Sequence, residues 1–275
     1  MHLRVPVPAA LADNARAYVA GKRLSTQLRD AATVVLLRDG AAALEVYLLQ
    51  RRSTMAFAAG MSVFPGGGVD LRDADAEIAW AGPDARTWAL CLRCDEGQAR
   101  ALVCAAVRET FEESGVLLAG PDVDTVVSDT TGVGWEADRL ALVDRSLSLS
   151  ALMARRGLVL RADLLGAWAR WVTPEFEPRR YDTRFFVAVL PDGQRTRDVS
   201  TEAATVQWAS PAAAVGAVDA GAMVMLPPTY ETCRQLLQLG TAAEALAAAE
   251  WRSIEPVEPR LVVDGESLLL EIELP

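Results

Sequence analysis

The chain has 275 residues, 51% of them hydrophobic, and a formal net charge of −10. That length and hydrophobicity fill a sizeable core and exclude wholesale disorder, while the acidity argues against a nucleic-acid surface and gives no general pull on a polyanion. It holds no apolar run of about 18 residues and no basic leader before an apolar stretch, so neither a membrane span nor a secretory signal is expected.

Residues 1 to about 25 carry proline-spaced apolar residues and a short helical pattern from Leu11 to Val19. Asp30 to Leu37, a turn at Arg38 to Gly40, and Glu45 to Gln50 read as a strand hairpin. Gly60 to Phe64 is extended and delivers the chain to Pro65, Gly66, Gly67 and Gly68, a tight turn that lets a ligand approach the backbone. Residues 71–100 have helical spacing over Ala74 to Trp80 and Arg86 to Leu92, broken at Gly82 and Pro83. This segment reads either as a surface pair packed on the core or as a wall of a substrate site. Cys91 and Cys94 have no second pair at ligand spacing, and the sole histidine is His2, so they read as packing residues on a helix. The four cysteines are too few for a disulfide scaffold and fit a reducing cytoplasm.

Beyond residue 115, Val116 to Leu118 reads as a strand, Pro121 to Gly134 as a turn-rich stretch, and Glu136 to Gly157 and Arg161 to Ala167 as helices. Strands follow at Trp168 to Val172, Arg184 to Leu190 and Thr205 to Trp208. Ser210 suits an N-cap and Pro211 the first position of a helix through Val218. Helices at Thr229 to Leu239 and Ala242 to Trp251 precede a hairpin from Arg260 to Ile272 that turns at Asp264 and Gly265.

The chemistry concentrates at the end of an alanine-rich helix leading to Gly115, which suits a left-handed C-terminal cap. At about 100° per residue, Glu112 lies about 60° to one side of Glu109 and Glu113 about 40° to the other, so the three carboxylates share one narrow face. They sit where the helix dipole disfavours negative charge, and Arg108, four residues before Glu112, offsets only part of the repulsion. The surplus suits a hard divalent cation with oxygen ligands.

The order of these residues resembles the core of the Nudix box, Gx5Ex7REUxEExGU with U aliphatic. Arg108, Glu109, Glu112, Glu113, Gly115 and Val116 match it, and Thr110 stands at a U position. Phe64 to Asp70 resembles the glycine turn that opens the box, displaced upstream by extra chain. Asp73 falls six residues after Gly67, where the box has Glu, whereas a strict count back from Arg108 lands on Arg100. Leu48 to Ser53, followed by Gly60 and Phe64 to Gly67, is similar to the motif LLTxRSx3Rx3Gx3FPGG of the coenzyme A and acyl-CoA diphosphatase branch. The spacer is one residue short and lacks its arginine, with Phe57 near that place. The long insertion, Trp171 to Pro174 and Arg179 to Phe186 resemble the peroxisomal members of that branch, although the chain ends Glu273, Leu274, Pro275, which is no peroxisomal address.

The resemblance implies an α/β (α+β) Nudix fold, a mixed β-sheet sandwiched between helices, as one domain over 1–275. Its core would span about 30–220, its insertion about 71–100 and its C-terminal helical and hairpin extension about 221–275. It implies a Mg²⁺ or Mn²⁺ site at Glu109, Glu112 and Glu113 with the Gly66 carbonyl, and a catalytic set of Arg108, Glu109, Glu112 and a downstream acid, Glu202. Substrate contacts would come from Arg51, Arg52, Phe64, Gly67 and Arg184, with Arg179 and Arg180 as further candidates. The implied activity is cleavage of the diphosphate of CoA or acyl-CoA to 3′,5′-ADP and (acyl-)4′-phosphopantetheine, in the cytoplasm, with no nucleic-acid or membrane partner and a homodimer as candidate assembly. The alternatives are another nucleoside diphosphate such as ADP-ribose or NADH, and a ligand sensor without turnover.

Overall fold

Val34, Val35, Leu36 and Leu37 are consecutive and fully buried, and a strand can bury successive residues only when both of its faces are covered. In the computed structural model, which describes residues 2–8, 11–22, 24–52, 58–75, 77–200, 203–250, 252, 254–265 and 267–274, that is their setting. The N-terminal half runs β1 (His2–Pro6), α1 (Ala12–Val19), β2 (Leu28–Asp39), β3 (Leu44–Arg51), β4 (Ser62–Val63) and β5 (Gly66–Gly68). A 3₁₀ turn (Leu71–Ala74), β6 (Trp80–Ala81), α2 (Ala85–Leu92) and α3 (Glu96–Ser114) follow. Next come β7 (Ala119–Gly120), α4 (Val133–Val143), α5 (Leu149–Arg156), β8 (Val159–Arg161), β9 (Leu165–Val172) and β10 (Arg180–Val189). The chain closes with β11 (Ala203–Ala209), α6 (Pro211–Asp219), α7 (Pro227–Leu236), α8 (Ala242–Ala249), β12 (Pro256–Val257), β13 (Arg260–Asp264) and β14 (Ser267–Glu273).

The central sheet has the order β11-β3-β2-β10-β9-β12, with β4 paired to β3 and β5 to β2. It is mixed: β10 runs parallel to β2 and antiparallel to β9. Alternate residues sort its faces. Val34, Leu36 and Phe186 pack against α2, α3 and α5, while Val35, Leu37 and Val187 pack against residues of α6, α7 and α8. The sheet is therefore sandwiched between helices, as expected. β1 and β13 flank β14 in a separate small sheet that ties the N-terminus to the final hairpin.

Several elements differ from the sequence expectation, most of them because tertiary pairing overrides a local pattern. The glycines form a short strand on β2, not a free turn, with Thr33 opposite Gly66 and Ala32 opposite Gly67. Among the described residues of 74–80 there is no α-helix. After one 3₁₀ turn the chain extends so that Trp80 and Ala81 pair with β8, which also draws Arg161 out of the helix expected over 161–167. Val116 to Leu118 form no regular strand: the Gln194 side-chain amide takes both polar groups of Leu117, accepting from its N–H at 2.9 Å and donating to its carbonyl at 2.8 Å, and only the Leu118 carbonyl meets β8, accepting from the Arg161 N–H at 3.1 Å. The helix expected over 136–157 is two helices. Arg145 takes a left-handed φ of 63° between them, and the Ser148 hydroxyl caps α5 by accepting from the Ala151 N–H. The Ser210 cap and the first-turn Pro211 of α6 are as read. Cys91 and Cys94 are free thiols on or just beyond α2, packed against the core.

Candidate active site

Arg108 is the hub of the site. Its guanidinium grips the Asp73 carboxylate with two prongs, Nε to Oδ1 at 2.9 Å and Nη2 to Oδ2 at 2.8 Å. Nη1 donates to Glu109 Oε1 at 2.7 Å and to Glu112 Oε1 at 3.2 Å, and Nη2 also reaches the Gly68 carbonyl at 3.0 Å. Asp73 is held for this role by its own turn: Asp70 and Asp73 form a reciprocal cap in which Asp73 Oδ2 accepts from the Asp70 N–H. Glu113 turns the other way and accepts from the Gly66 N–H at 2.8 Å. The glycine strand and the acidic helix are thus bonded through one arginine and one glutamate.

The close approach explains the glycines. A Cβ on Gly67 would stand 2.5 Å from Glu109 Oε1, and one on Gly66 would stand 2.5 Å from the Ala32 carbonyl oxygen. Neither position accepts a side chain without moving the carboxylate or the strand pairing. Gly115 ends α3 at φ 77°, and its missing Cβ leaves room for the Arg197 guanidinium.

Electrostatics at the hub are one-sided, with Asp73, Glu109 and Glu112 sharing one guanidinium. Burial pushes the Glu109 carboxyl up to about 7; the Arg108 charge opposes this and the Glu112 charge adds to it. Burial raises Glu112 as well, again against the pull of Arg108. Burial also works against the Arg108 charge, but the Asp73 hydrogen bond and the surrounding carboxylates win and hold the guanidinium above its usual range.

The C-terminal turn of α3 is pinned by groups that its own sequence does not announce. Arg139, 2% exposed, donates to the Glu112 carbonyl at 2.7 Å, and is itself held by Glu136 at 2.6 Å. Glu136 also accepts from Arg197 at 2.7 Å, whose backbone N–H donates to the Ser114 carbonyl. Thr130 Oγ1 donates to the Gly115 carbonyl at 2.6 Å. Two guanidiniums thus stand at the negative end of the helix dipole, beside the acidic face.

Residues 97–235, about half of the chain, match the NUDT19 Nudix domain family. A Nudix hydrolase structure from Alicyclobacillus acidocaldarius superposes with a TM-score of 0.68 at 30% identity, over 81% of this chain and 96% of that one. The chain belongs to the Nudix family. Among curated relatives, the acyl-coenzyme A diphosphatase NUDT19 of Gallus gallus is 27% identical over 69% of this chain and 60% of its own length. The Homo sapiens protein of the same name is 25% identical over 77% of this chain and 65% of its own length. The chain therefore spans less than two thirds of these relatives.

In Nudix terms, the structure assembles the box across its insertion. Asp73, not Arg100, meets the box arginine. Arg100 lies instead over the Trp80 ring, 4.8 Å from its centroid. Of the expected metal ligands, Glu109, Glu112, Glu113 and Gly66 come together, Gly66 through its N–H. Their oxygen-only donor set fits a hard divalent cation. Among the described residues, however, no three such side chains are arranged to hold an ion as they stand, because these carboxylates face Arg108 and the Gly66 N–H.

The expected substrate residues divide. Phe64 is buried and Gly67 lies on Glu109. Arg51 ends β3 and Arg52 follows it, and Arg52 Nε donates to the Ala203 carbonyl at 3.0 Å. Arg184 is 1% exposed, pairs with Asp182 at 2.8 Å and Asp30 at 3.6 Å, and offers no open face to a phosphate. Its place in alternation on β10 turns it inward, which corrects the expectation of a substrate contact. Arg180 is buried against Glu258 and Ser25 and has likewise taken a structural partner. Glu202 and Phe57 lie outside the described residues. Among the described residues, no helix is long and apolar enough to cross a membrane.

Proposed function

We propose that this chain is a metal-dependent pyrophosphohydrolase that cleaves the diphosphate of CoA or acyl-CoA to 3′,5′-ADP and (acyl-)4′-phosphopantetheine. The observation that carries the reading is the Arg108 hub, where Asp73, Glu109 and Glu112 converge against a glycine strand that approaches Glu109 too closely for any side chain. A diphosphate repels a nucleophile, so a catalyst must supply positive charge and orient water in line. Mg²⁺ or Mn²⁺ held by Glu109, Glu112 and Glu113, with Gly66 beside them, supplies that charge when bound. Arg108 orients Glu109 and Glu112, while Asp73 keeps Arg108 from collapsing wholly onto them. Glu109, oriented by Arg108 through Oε1, is suited to take the proton of an attacking water. Arg139 keeps the last turn of α3 from fraying under its own acids.

The CoA assignment rests on the motif from Leu48 to Gly67 and on the names of the NUDT19 relatives. Arg51 and Arg52, at the end of the strand that leads to this motif, are the candidate contacts for the 3′-phosphate that distinguishes CoA from ADP-ribose. We take 1–275 as one unit, because α8 and β12 pack on or join the same sheet as the box. The test is a panel of CoA, acyl-CoA, 3′-dephospho-CoA, ADP-ribose and NADH with Mg²⁺ or Mn²⁺, read by mass spectrometry. Preference for ADP-ribose or NADH over every CoA species would remove the CoA reading and leave the hydrolase.

A further inference from the structure

On the face of the sheet opposite α3 lies a cavity of about 160 Å³ that the chemistry above does not use. Its floor is Thr33, Thr183 and Phe185 from β2 and β10, and its walls include Phe64, Trp171 and Leu226. Thr33 is also the strand partner of Gly66, and Phe64 is two residues before it, so the cavity and the glycine strand share a wall. We infer that this cavity is the subsite for the acyl chain of an acyl-CoA, and that it makes an apolar acyl group the preferred substrate feature; the inference rests on the proposed CoA reading.

Two observations favour a methylene chain over a nucleobase. α7 opens onto the cavity with Pro227 and Pro228, which have no N–H, so the rim lacks the donors that a helix N-terminus normally presents. Two polar side chains of the wall are already engaged, and most of the other lining residues are apolar: Glu177 accepts from Asn14 Nδ2 at 3.2 Å, and Thr173 Oγ1 accepts from the Tyr181 N–H at 3.1 Å. A base edge buried there without partners would carry the desolvation cost of its unpaired polar groups, a cost that a methylene chain does not have. The cavity and the acidic helix lie on opposite faces of the same sheet. The pantetheine arm has the length to carry a thioester around the glycine edge from one face to the other. The size is that of a dry apolar cavity of about 150 Å³ that accepts benzene, which suits a short chain.

The experiment is kcat/KM with free CoA and acetyl-, butyryl-, hexanoyl- and palmitoyl-CoA, alongside calorimetric binding of S-hexanoyl-N-acetylcysteamine, a thioester with no nucleotide. The expected result is a rise of about fourfold per added methylene until the cavity is full, then a plateau. Thr183→Phe, which fills the cavity, and Leu226→Ser, which wets its rim, should each pull the hexanoyl-to-free-CoA ratio toward one and abolish binding of the thioester. Equal kcat/KM across the series would overturn the acyl subsite while leaving the CoA reading intact. If no CoA species is cleaved, the CoA reading fails, and the thioester then judges the cavity alone: no binding, or displacement by adenosine, overturns the inference.

Discussion

Asp73→Asn tests the hub at its base. The substitution keeps the volume and an oxygen that can accept from the Asp70 N–H, but removes the charge that holds Arg108 Nε and Nη2. The Asp73 side chain is 2% exposed and that of Arg108 11%, so the pair is shielded from solvent. Removing one partner of such a pair costs about 3–5 kcal/mol, and because Arg108 retains Glu109 and Glu112 the lower end, about 3 kcal/mol, applies here. For a chain of this size that is a drop in Tm of about 6–12 °C, measured by calorimetry at pH 7 in metal-free buffer. Arg108 should also be drawn harder onto Glu109 and Glu112, raising the Mg²⁺ concentration needed for half-maximal activity. A Tm within about 3 °C of wild type, which corresponds to about 1 kcal/mol, would show that Asp73 does not anchor the hub.

Gly67→Ala should cut turnover by about 10- to 100-fold, because its Cβ must displace the Glu109 carboxylate; steady-state kinetics at saturating metal would show it, and wild-type turnover would refute the close approach. Arg139→Met should cost about 1.5–3 kcal/mol by thermal melt and weaken activation by Mg²⁺, since the Glu112 carbonyl loses a charged donor; Arg139→Lys should recover part of both. Glu136 is held down to about 2 by its hydrogen bond with Arg139 and then by that with Arg197, against the cost of burial. Because its folded value lies below its unfolded one, its contribution is present above about pH 4.5 and lost as pH falls toward 2; Glu136→Gln should flatten that limb of the pH–stability curve.

The sheet and the acidic helix were legible because their signals are local. Val34 to Leu37 announce a strand covered on both faces, and Arg108 to Gly115 fix three acids and a cap by helical geometry alone. What was not legible depends on distant partners. The first acid of the box is recovered by counting forward from Gly67 to Asp73, but only the fold shows that the intervening helix α2 loops out and returns α3 to it. Helical spacing at the end of 74–80 and the start of 161–167 was overridden by pairing between β6 and β8, and residues 165–167 were taken into β9 by pairing with β10. The strand pattern at Val116 to Leu118 yielded to the amide of Gln194, far along the chain. Arg139 and Arg197 carry no motif, and their place at the end of α3 follows only from packing. Arg184 shows the converse, an arginine in a suggestive run whose strand alternation turns it into the protein.

The most direct measurement is the product mass spectrum of CoA incubated with wild-type protein and with Glu112→Gln and Glu113→Gln, each with Mg²⁺ and with EDTA. The account predicts 3′,5′-ADP and 4′-phosphopantetheine from wild type with metal only, and a loss of at least about 100-fold in both variants with their melting temperatures unchanged or raised in metal-free buffer. Near-wild-type product from both variants at saturating metal, or equal product in EDTA, would contradict it.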